Sequence, residues 1–359
     1  MDGYVDLQVN GYAGVDFNAP GLTVEAVKAV TERLAADGTA GYLPTLVTGD
    51  PETVVGTLRT VVAARRKHAI CEKNILGFFL EGPFISNRPG AVGTHPTEWV
   101  RAPDRALFDR FQDAAEGLVR MVNVAAEVPG MPDFVRGVAA TGVVVSLGHQ
   151  LATSPEDLEP CLAAGARAFT HLGNGIPNEV NRHDNIVSTA LVEDRASVMF
   201  IPDGHHLPDT MLKLYVRAVP LKRLIAVSDA QYPAGLPPGE YEVCGAHARL
   251  EPDGLLWNPS RNCLVGATTP LAKCMEILRT RIGLTQDECR AVGHDNPLAL
   301  IEGRRASATG TKLDGARGQQ AYDSKGRGGI CAECRRVGRD LTAGAEKYCN
   351  MSLRERAGC

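Results

Sequence analysis

Eight short apolar runs, each ending in polar or ionisable residues, constrain this chain more than any other feature. They are Tyr4–Val9, Tyr42–Val47, Ile75–Leu80, Leu118–Ala126, Val143–Leu147, Ala168–Thr170, Val198–Ile201 and Leu224–Val227. At or just after their ends come Gln8 and Asn10, Glu81, His149, His171, Asp203 with His206, and Asp229. Most of the runs are separated by a stretch of helical period. Alternating strand and helix patterns specify a parallel sheet. Eight such units specify a closed (β/α)8 TIM barrel, an α/β fold whose C-terminal strand ends build the active site. The sequence therefore places a glutamate, histidines and an aspartate on one rim.

The segments between the runs carry helix punctuation. Thr23 is placed as an N-cap with Glu25 in the first turn, and Val24, Val27, Val30 and Leu34 recur at helical spacing before Gly38. Pro51 and Glu52 open a second helix in the positions that a helix start favours. Ser154-Pro155-Glu156-Asp157 opens the helix ahead of the sixth run, and Gly165 ends it. Residues 1–300 read as one barrel with a β-hairpin inserted near 240–265, signalled by Pro252-Asp253-Gly254. Helical period returns over Thr269–Leu278, and a further helix is expected over Gln286–Val292. Residues 301–359 read as a divergent, poorly ordered tail rich in Cys, Arg and Gly. Its Cys331, Cys334, Cys349 and Cys359 leave a zinc site open as an alternative, on irregular spacing.

The net charge of −4 and pI near 6.2 give no electrostatic footprint for nucleic acid. No run of 18 apolar residues is present, so no membrane helix is expected. The N-terminal residues lack a basic region and an apolar leader core. Ten cysteines in such a chain read as reduced thiols in a cytoplasm.

Glu81 ends a buried strand, where a carboxylate is costly unless it is paired or bound to a metal. His149 and His171 end neighbouring strands and can converge with it. One carboxylate and two imidazoles suit a divalent metal with an open position for water; the alternative is three rim residues in ordinary hydrogen bonds. Asp229, at the end of the eighth run, is suited to take a proton from water and return it to a leaving group. His95, among glycines and prolines, is suited to polarising a substrate carbonyl. His206 can reach a bound anion, and His205 reads as structural. Asn174-Gly175 offers backbone N–H groups near a helix start, and Arg182 a bidentate clamp. Glu127 faces the rim as an orienting group.

Taken together, Asp6-Leu7-Gln8-Val9-Asn10-Gly11, Leu80-Glu81-Gly82-Pro83, Gly93-Thr94-His95-Pro96, Gly148-His149, Thr170-His171-Leu172-Gly173-Asn174, Asp203-Gly204-His205-His206 and Ser228-Asp229-Ala230 resemble the N-acetylglucosamine-6-phosphate deacetylases of the amidohydrolase superfamily. The matching pieces run in order across about residues 4–300. The resemblance implies one divalent metal ion, zinc first and iron, cobalt or manganese as alternatives, on Glu81, His149 and His171. It implies Asp229 as acid/base, His95 on the carbonyl, and His206 and Asn174, with Gly175, on the sugar phosphate. It implies a homodimer in which Arg182 reaches the partner's site. The reaction implied is hydrolysis of the acetamide of an N-acetyl amino-sugar phosphate. Another amide hydrolase of the superfamily, or a silent sugar-phosphate-binding homologue, is the alternative. Gln8-Val9-Asn10 stands where many superfamily members carry His-x-His for a second metal. The accessory β-sandwich usual in the family is expected to be missing or truncated.

Overall fold

A computed structural model describes residues 3–243, 245–260 and 263–303. The expectations for the 301–359 tail and its cysteines fall, beyond residue 303, outside the described residues. The chain opens with β1 (Tyr4–Val9), followed by a short antiparallel pair, β2 (Gly11–Tyr12) and β3 (Val15–Asp16). Then come β4 (Thr39–Val47), β5 (Phe78–Glu81), β6 (Val119–Val124), β7 (Val144–Leu147), β8 (Ala166–Phe169), β9 (Ser197–Phe200) and β10 (Leu224–Ala226). Strand β1 pairs with β4, and each of β4 to β9 pairs in parallel with the next, in sequence order. This is the order of a (β/α)8 barrel.

The barrel seam between β1 and the segment after β10 is made differently. A single parallel bridge joins Val9 to Ala230, and the amides of Asn10 and Gly11 both donate to the Ala230 carbonyl at 2.8 and 3.1 Å. Lower on the seam the Ser228 amide donates to Asp6 Oδ1 at 3.1 Å. A register irregularity between Asp6 and Val9 accompanies this side-chain bonding.

The helices between strands follow their end signals. In α1 (Val24–Ala36), Thr23 Oγ1 accepts from the Ala26 amide. In α2 (Pro51–Lys67), Asp50 caps Thr53, Pro51 needs no amide partner, and Arg65, Arg66 and Lys67 face the negative end of the dipole. Val54, Leu58 and Val61 of α2 are buried against the sheet. Ser154 and Asp157 form a reciprocal capping box in the helix Pro155–Ala164, which Gly165 ends at φ 117.

Two apolar regions follow from the strand alternation. Residues facing outward from the strands, such as Val9, Leu80, Val122 and Phe169, pack with the helices. Residues facing inward, including Leu7, Leu43, Phe79, Met121, Val144, Met199 and Ile225, fill the barrel lumen. Leu300, in the helix Asn296–Ile301, joins that lumen. Each large side chain buried this way contributes roughly 1.5–3 kcal/mol.

The segment expected to be a hairpin is instead a four-stranded antiparallel sheet: β11 (Gly239–Val243), β12 (Ala246–Leu250), β13 (Leu256–Asn258) and β14 (Cys263–Leu264). The Pro252-Asp253-Gly254 turn joins its second and third strands. Val243, Ala248, Leu250, Leu256 and Val265 form its own small core. A two-stranded hairpin could not bury such a face alone. The sheet reaches the barrel rim, where His205 Nε2 lies 3.2 Å from the Asp253 carbonyl. No helix among the described residues is long and apolar enough to cross a membrane.

Candidate active site

Glu81 is the last residue of β5; His149, His171 and Asp229 each lie two or three residues beyond a strand end. The last three share a backbone peculiarity. Their φ values are 52, 27 and 53°, and they are three of the five non-glycine residues with positive φ among the described residues. Left-handed backbone costs of order 1–3 kcal/mol where it is strained, and such positions gather at active sites. The turn at each strand end swings the side chain over the barrel mouth.

The three donor atoms predicted as a set converge. Glu81 Oε1 is 2.7 Å from His171 Nε2 and 3.2 Å from His149 Nε2, and the two imidazole nitrogens are 3.1 Å apart. All three residues are buried. His149 Nδ1 lies 2.7 Å from the Ala91 carbonyl, which can only accept, so Nδ1 carries a proton. In neutral His149 the Nε2 atom then presents a lone pair to an ionised carboxylate oxygen. Two lone pairs at that distance repel unless a cation lies between them. Ligands about 2.1 Å from one shared ion stand roughly 3.0–3.4 Å apart, close to the spacing here. The donor set thus fits a divalent cation. His95 is also near: Glu81, His95 and His149 each offer a donor atom within 4.8 Å of the others. The His95 ring, however, is tied at Nδ1 to Thr48, while His171 Nε2 lies 2.7 Å from Glu81 Oε1 and 3.1 Å from His149 Nε2.

The charges reinforce this geometry. Burial opposes ionisation of Glu81, but the His149 and His171 imidazoles beside it outweigh that and hold its carboxyl well below the usual range. Burial pulls His171 down, yet Glu81 overrides it and raises the imidazole. Asp229 is pushed up to about 6 by burial and by the Glu81 charge, against the pull of His171, His206 and the Asn10 amide. Its Oδ1 accepts from Gln8 Nε2 at 3.0 Å and Asn10 Nδ2 at 2.7 Å.

His95 is buried, which its glycine-rich loop did not suggest. The Thr48 amide donates to its Nδ1 at 3.3 Å, so the ring proton sits on Nε2. Burial and the neighbouring His149 lower its pKa to about 3, which keeps it a neutral donor. A cleft of about 920 Å3, lined by Asn18, Thr48, Val92, Trp99 and Glu242, opens beside His95. None of Glu81, His149, His171 or Asp229 lines it, so it is not the floor of the reactive cluster.

The remaining predicted residues divide. His206 is held through Nδ1 by Asp203 at 2.7 Å, leaving Nε2 for a ligand. Asn174 does not open a helix: the nearest helix start is Ile186, capped by Asn185, and Pro177 intervenes. The Asn174 amide and Nδ2 both donate to the His171 carbonyl, at 3.0 and 3.1 Å, so its N–H is not free for a phosphate. Arg182 is exposed on the same loop and makes no ion pair among the described residues. Glu127 accepts from the Leu151 and Ala152 amides, fixing the loop after His149. Thr48 and the Ala91 carbonyl were missed in the sequence; a threonine and a backbone atom carry no signal of their own there.

Gly175 packs against chemistry. A Cβ at Gly175, where φ is 61°, would lie 2.8 Å from His149 Nδ1, and one at Gly93 would lie 3.3 Å from its Cε1. The two backbones flank the imidazole. Gly175→Ala is expected to weaken divalent-ion affinity about 10–100-fold by shifting that ring. Metal titration of the folded variant checks this; an unchanged affinity removes Gly175 from the support of His149.

No family model matches the chain. It is 31% identical to the N-acetylglucosamine-6-phosphate deacetylase of Bos taurus, over 83% of this chain and 73% of that protein. It is 28% identical to the N-acetylgalactosamine-6-phosphate deacetylase of Escherichia coli O157:H7, over 85% of this chain and 81% of that protein. A solved structure of a variant N-acetyl-D-glucosamine-6-phosphate deacetylase from Mycobacterium smegmatis, in complex with N-acetyl-D-glucosamine-6-phosphate, superposes with a TM-score of 0.76 at 25% identity, covering 85% of this chain and 78% of that one. With the parallel barrel, the acid–histidine cluster on its rim and this likeness over most of its length, the chain belongs to the N-acetylglucosamine-6-phosphate deacetylase family of the amidohydrolase superfamily.

Proposed function

We propose that the protein hydrolyses the acetamide of N-acetylglucosamine 6-phosphate, or of its galactosamine epimer, to acetate and the amino-sugar phosphate. The observation that carries this reading is the meeting of Glu81, His149 and His171 within 3.2 Å of one another on the rim that also holds Asp229. A divalent ion on these three side chains supplies Lewis acidity to water and to the amide carbonyl. Zinc is the ion that best suits the two nitrogens and one oxygen. Asp229 takes the proton of the attacking water and returns it to the departing nitrogen, which leaves as the amine. His95 donates from Nε2 to the carbonyl oxygen as negative charge gathers there. His206, braced by Asp203, binds the sugar-phosphate end, with the Asn174-Gly175 turn beside it.

Arg182 is proposed to serve the neighbouring subunit of a homodimer, because it is exposed and unpaired within its own chain among the described residues. Arg182→Ala should raise KM more than it lowers kcat, since the phosphate is remote from the reacting carbon. An unchanged KM for a 6-phosphate substrate takes Arg182 out of the site. A phosphorylated substrate and buried thiols at Cys71, Cys161, Cys274 and Cys289 fit a reducing cytoplasm.

The similarity to a galactosamine-6-phosphate deacetylase keeps the C4 epimer as a second reading. Acetate release from both N-acetyl 6-phosphates and from the unphosphorylated sugars, with metal analysis of the same protein, decides between them. No release from any of them, by metal-loaded protein, refutes the proposal.

A further inference from the structure

Gln8 and Asn10 are both fully buried on or beside β1, and both turn to one atom. Gln8 Nε2 and Asn10 Nδ2 donate to Asp229 Oδ1 at 3.0 and 2.7 Å. Their amide oxygens, Gln8 Oε1 and Asn10 Oδ1, have no partner among the described residues. A buried primary amide with half its groups unsatisfied is costly. Among the described residues, Asp229 is therefore the only group that either side chain engages. The orientation of the two amides follows from the same contact. Turned over, each would set a carbonyl oxygen against a carboxylate oxygen. No described residue donates to Asp229 Oδ2.

We propose that Gln8 and Asn10 are positioning residues for proton transfer, saturating Asp229 Oδ1 so that Oδ2 alone exchanges protons with the reacting groups. This rests on the reading of Asp229 as the general base. Two donors on one oxygen stop the carboxylate from rotating about its Cβ–Cγ bond and draw charge toward Oδ1. In the first step an O–H bond of the attacking water breaks, its proton goes to Oδ2, and its oxygen bonds the amide carbon as the C=O π pair moves onto the carbonyl oxygen. In the second the Oδ2–H bond breaks, an N–H bond forms on the leaving nitrogen, and the C–N bond parts as the C=O bond re-forms. The carboxylate ends as it began, with Oδ1 unused. Neutral amides suit this task because they hold the carboxylate without ever giving it a proton. The bonds also cross the seam between β1 and β10, beside the Asn10 and Gly11 amides that fasten Ala230.

The test uses metal-loaded full-length protein and acetate release from N-acetylglucosamine 6-phosphate. Gln8→Leu and Asn10→Leu should each lower kcat about tenfold to a hundredfold, the range for losing a hydrogen bond to a charged group. KM and bound metal should stay at wild-type values. Asn10→Asp covers the case in which leucine disturbs folding. It keeps the side-chain volume but faces Asp229 with a second carboxylate, and it should lose kcat at neutral pH as well. In the Asp229→Asn background the leucine changes should remove no further residual turnover. Wild-type kcat in folded, metal-loaded Asn10→Asp or in both leucine variants overturns the proposal. So does an equal further loss in the Asp229→Asn background, which marks a merely structural role. If Asp229→Asn alone remains active, the base assignment itself fails, and that outcome is distinct from the other two.

Discussion

Asp229→Asn is expected to lose at least a hundredfold to ten-thousandfold of kcat while keeping its fold and its metal. Asparagine preserves shape and can still bond Gln8 or Asn10, but it cannot accept a proton from water. A positioned acid/base group contributes about 10²–10⁴-fold, and here one group serves two transfers. The environment of Asp229 is consistent with that duty: burial and the Glu81 charge raise its carboxyl above the usual range. Steady-state kinetics with metal analysis measures the effect. More than about a tenth of wild-type kcat, far above that range, sinks the assignment. Loss of the metal would instead make Asp229 a ligand.

Glu81→Gln should abolish turnover by a different route, through loss of the ion. Removing the only carboxylate among the three converging donors leaves two imidazoles whose nitrogens are 3.1 Å apart. The fall in affinity should exceed the roughly 10–100-fold typical of changes to outer partners. A thermal readout independent of activity is available. An ion at a hundred times its Kd stabilises the wild-type fold by about 2.7 kcal/mol. The same addition should leave Glu81→Gln unmoved. A full equivalent of tightly bound ion in the variant would show that another set, with His95 in it, holds the metal.

The barrel was legible because strand termini coincide with changes of chemistry. Glu81 after Phe78–Leu80, and His149 after Val144–Leu147, mark both an end and a function. Strand starts were less legible. Ile75 and Leu76 read as strand, yet β5 begins only at Phe78, because Gly77 at φ 148 packs against the Leu118 carbonyl and breaks the line. The inserted sheet was read as half its size, since two- and three-residue strands leave little period to detect. Within the site, residue types found the ionisable groups but not what holds them. Gln8 and Asn10 were visible as a departure from a metal-binding pair, and their bonds to Asp229 were not. Asn174 was misplaced at a helix start because glycine and asparagine serve turns and helix ends alike.

The left-handed backbone at His149, His171 and Asp229 also shapes how this family can drift. Glycine, asparagine, aspartate and histidine tolerate that conformation far better than β-branched residues do. Valine and isoleucine, the commonest fillers of a buried strand end, are thereby kept out of all three positions. A lineage that has abandoned the reaction but kept the barrel should therefore show glycine or asparagine there. Random apolar replacement would be the signature of a remodelled loop instead. The turns thus act as a filter on evolutionary change, keeping small polar and ligand-type side chains within reach and leaving a lost activity a few substitutions from recovery.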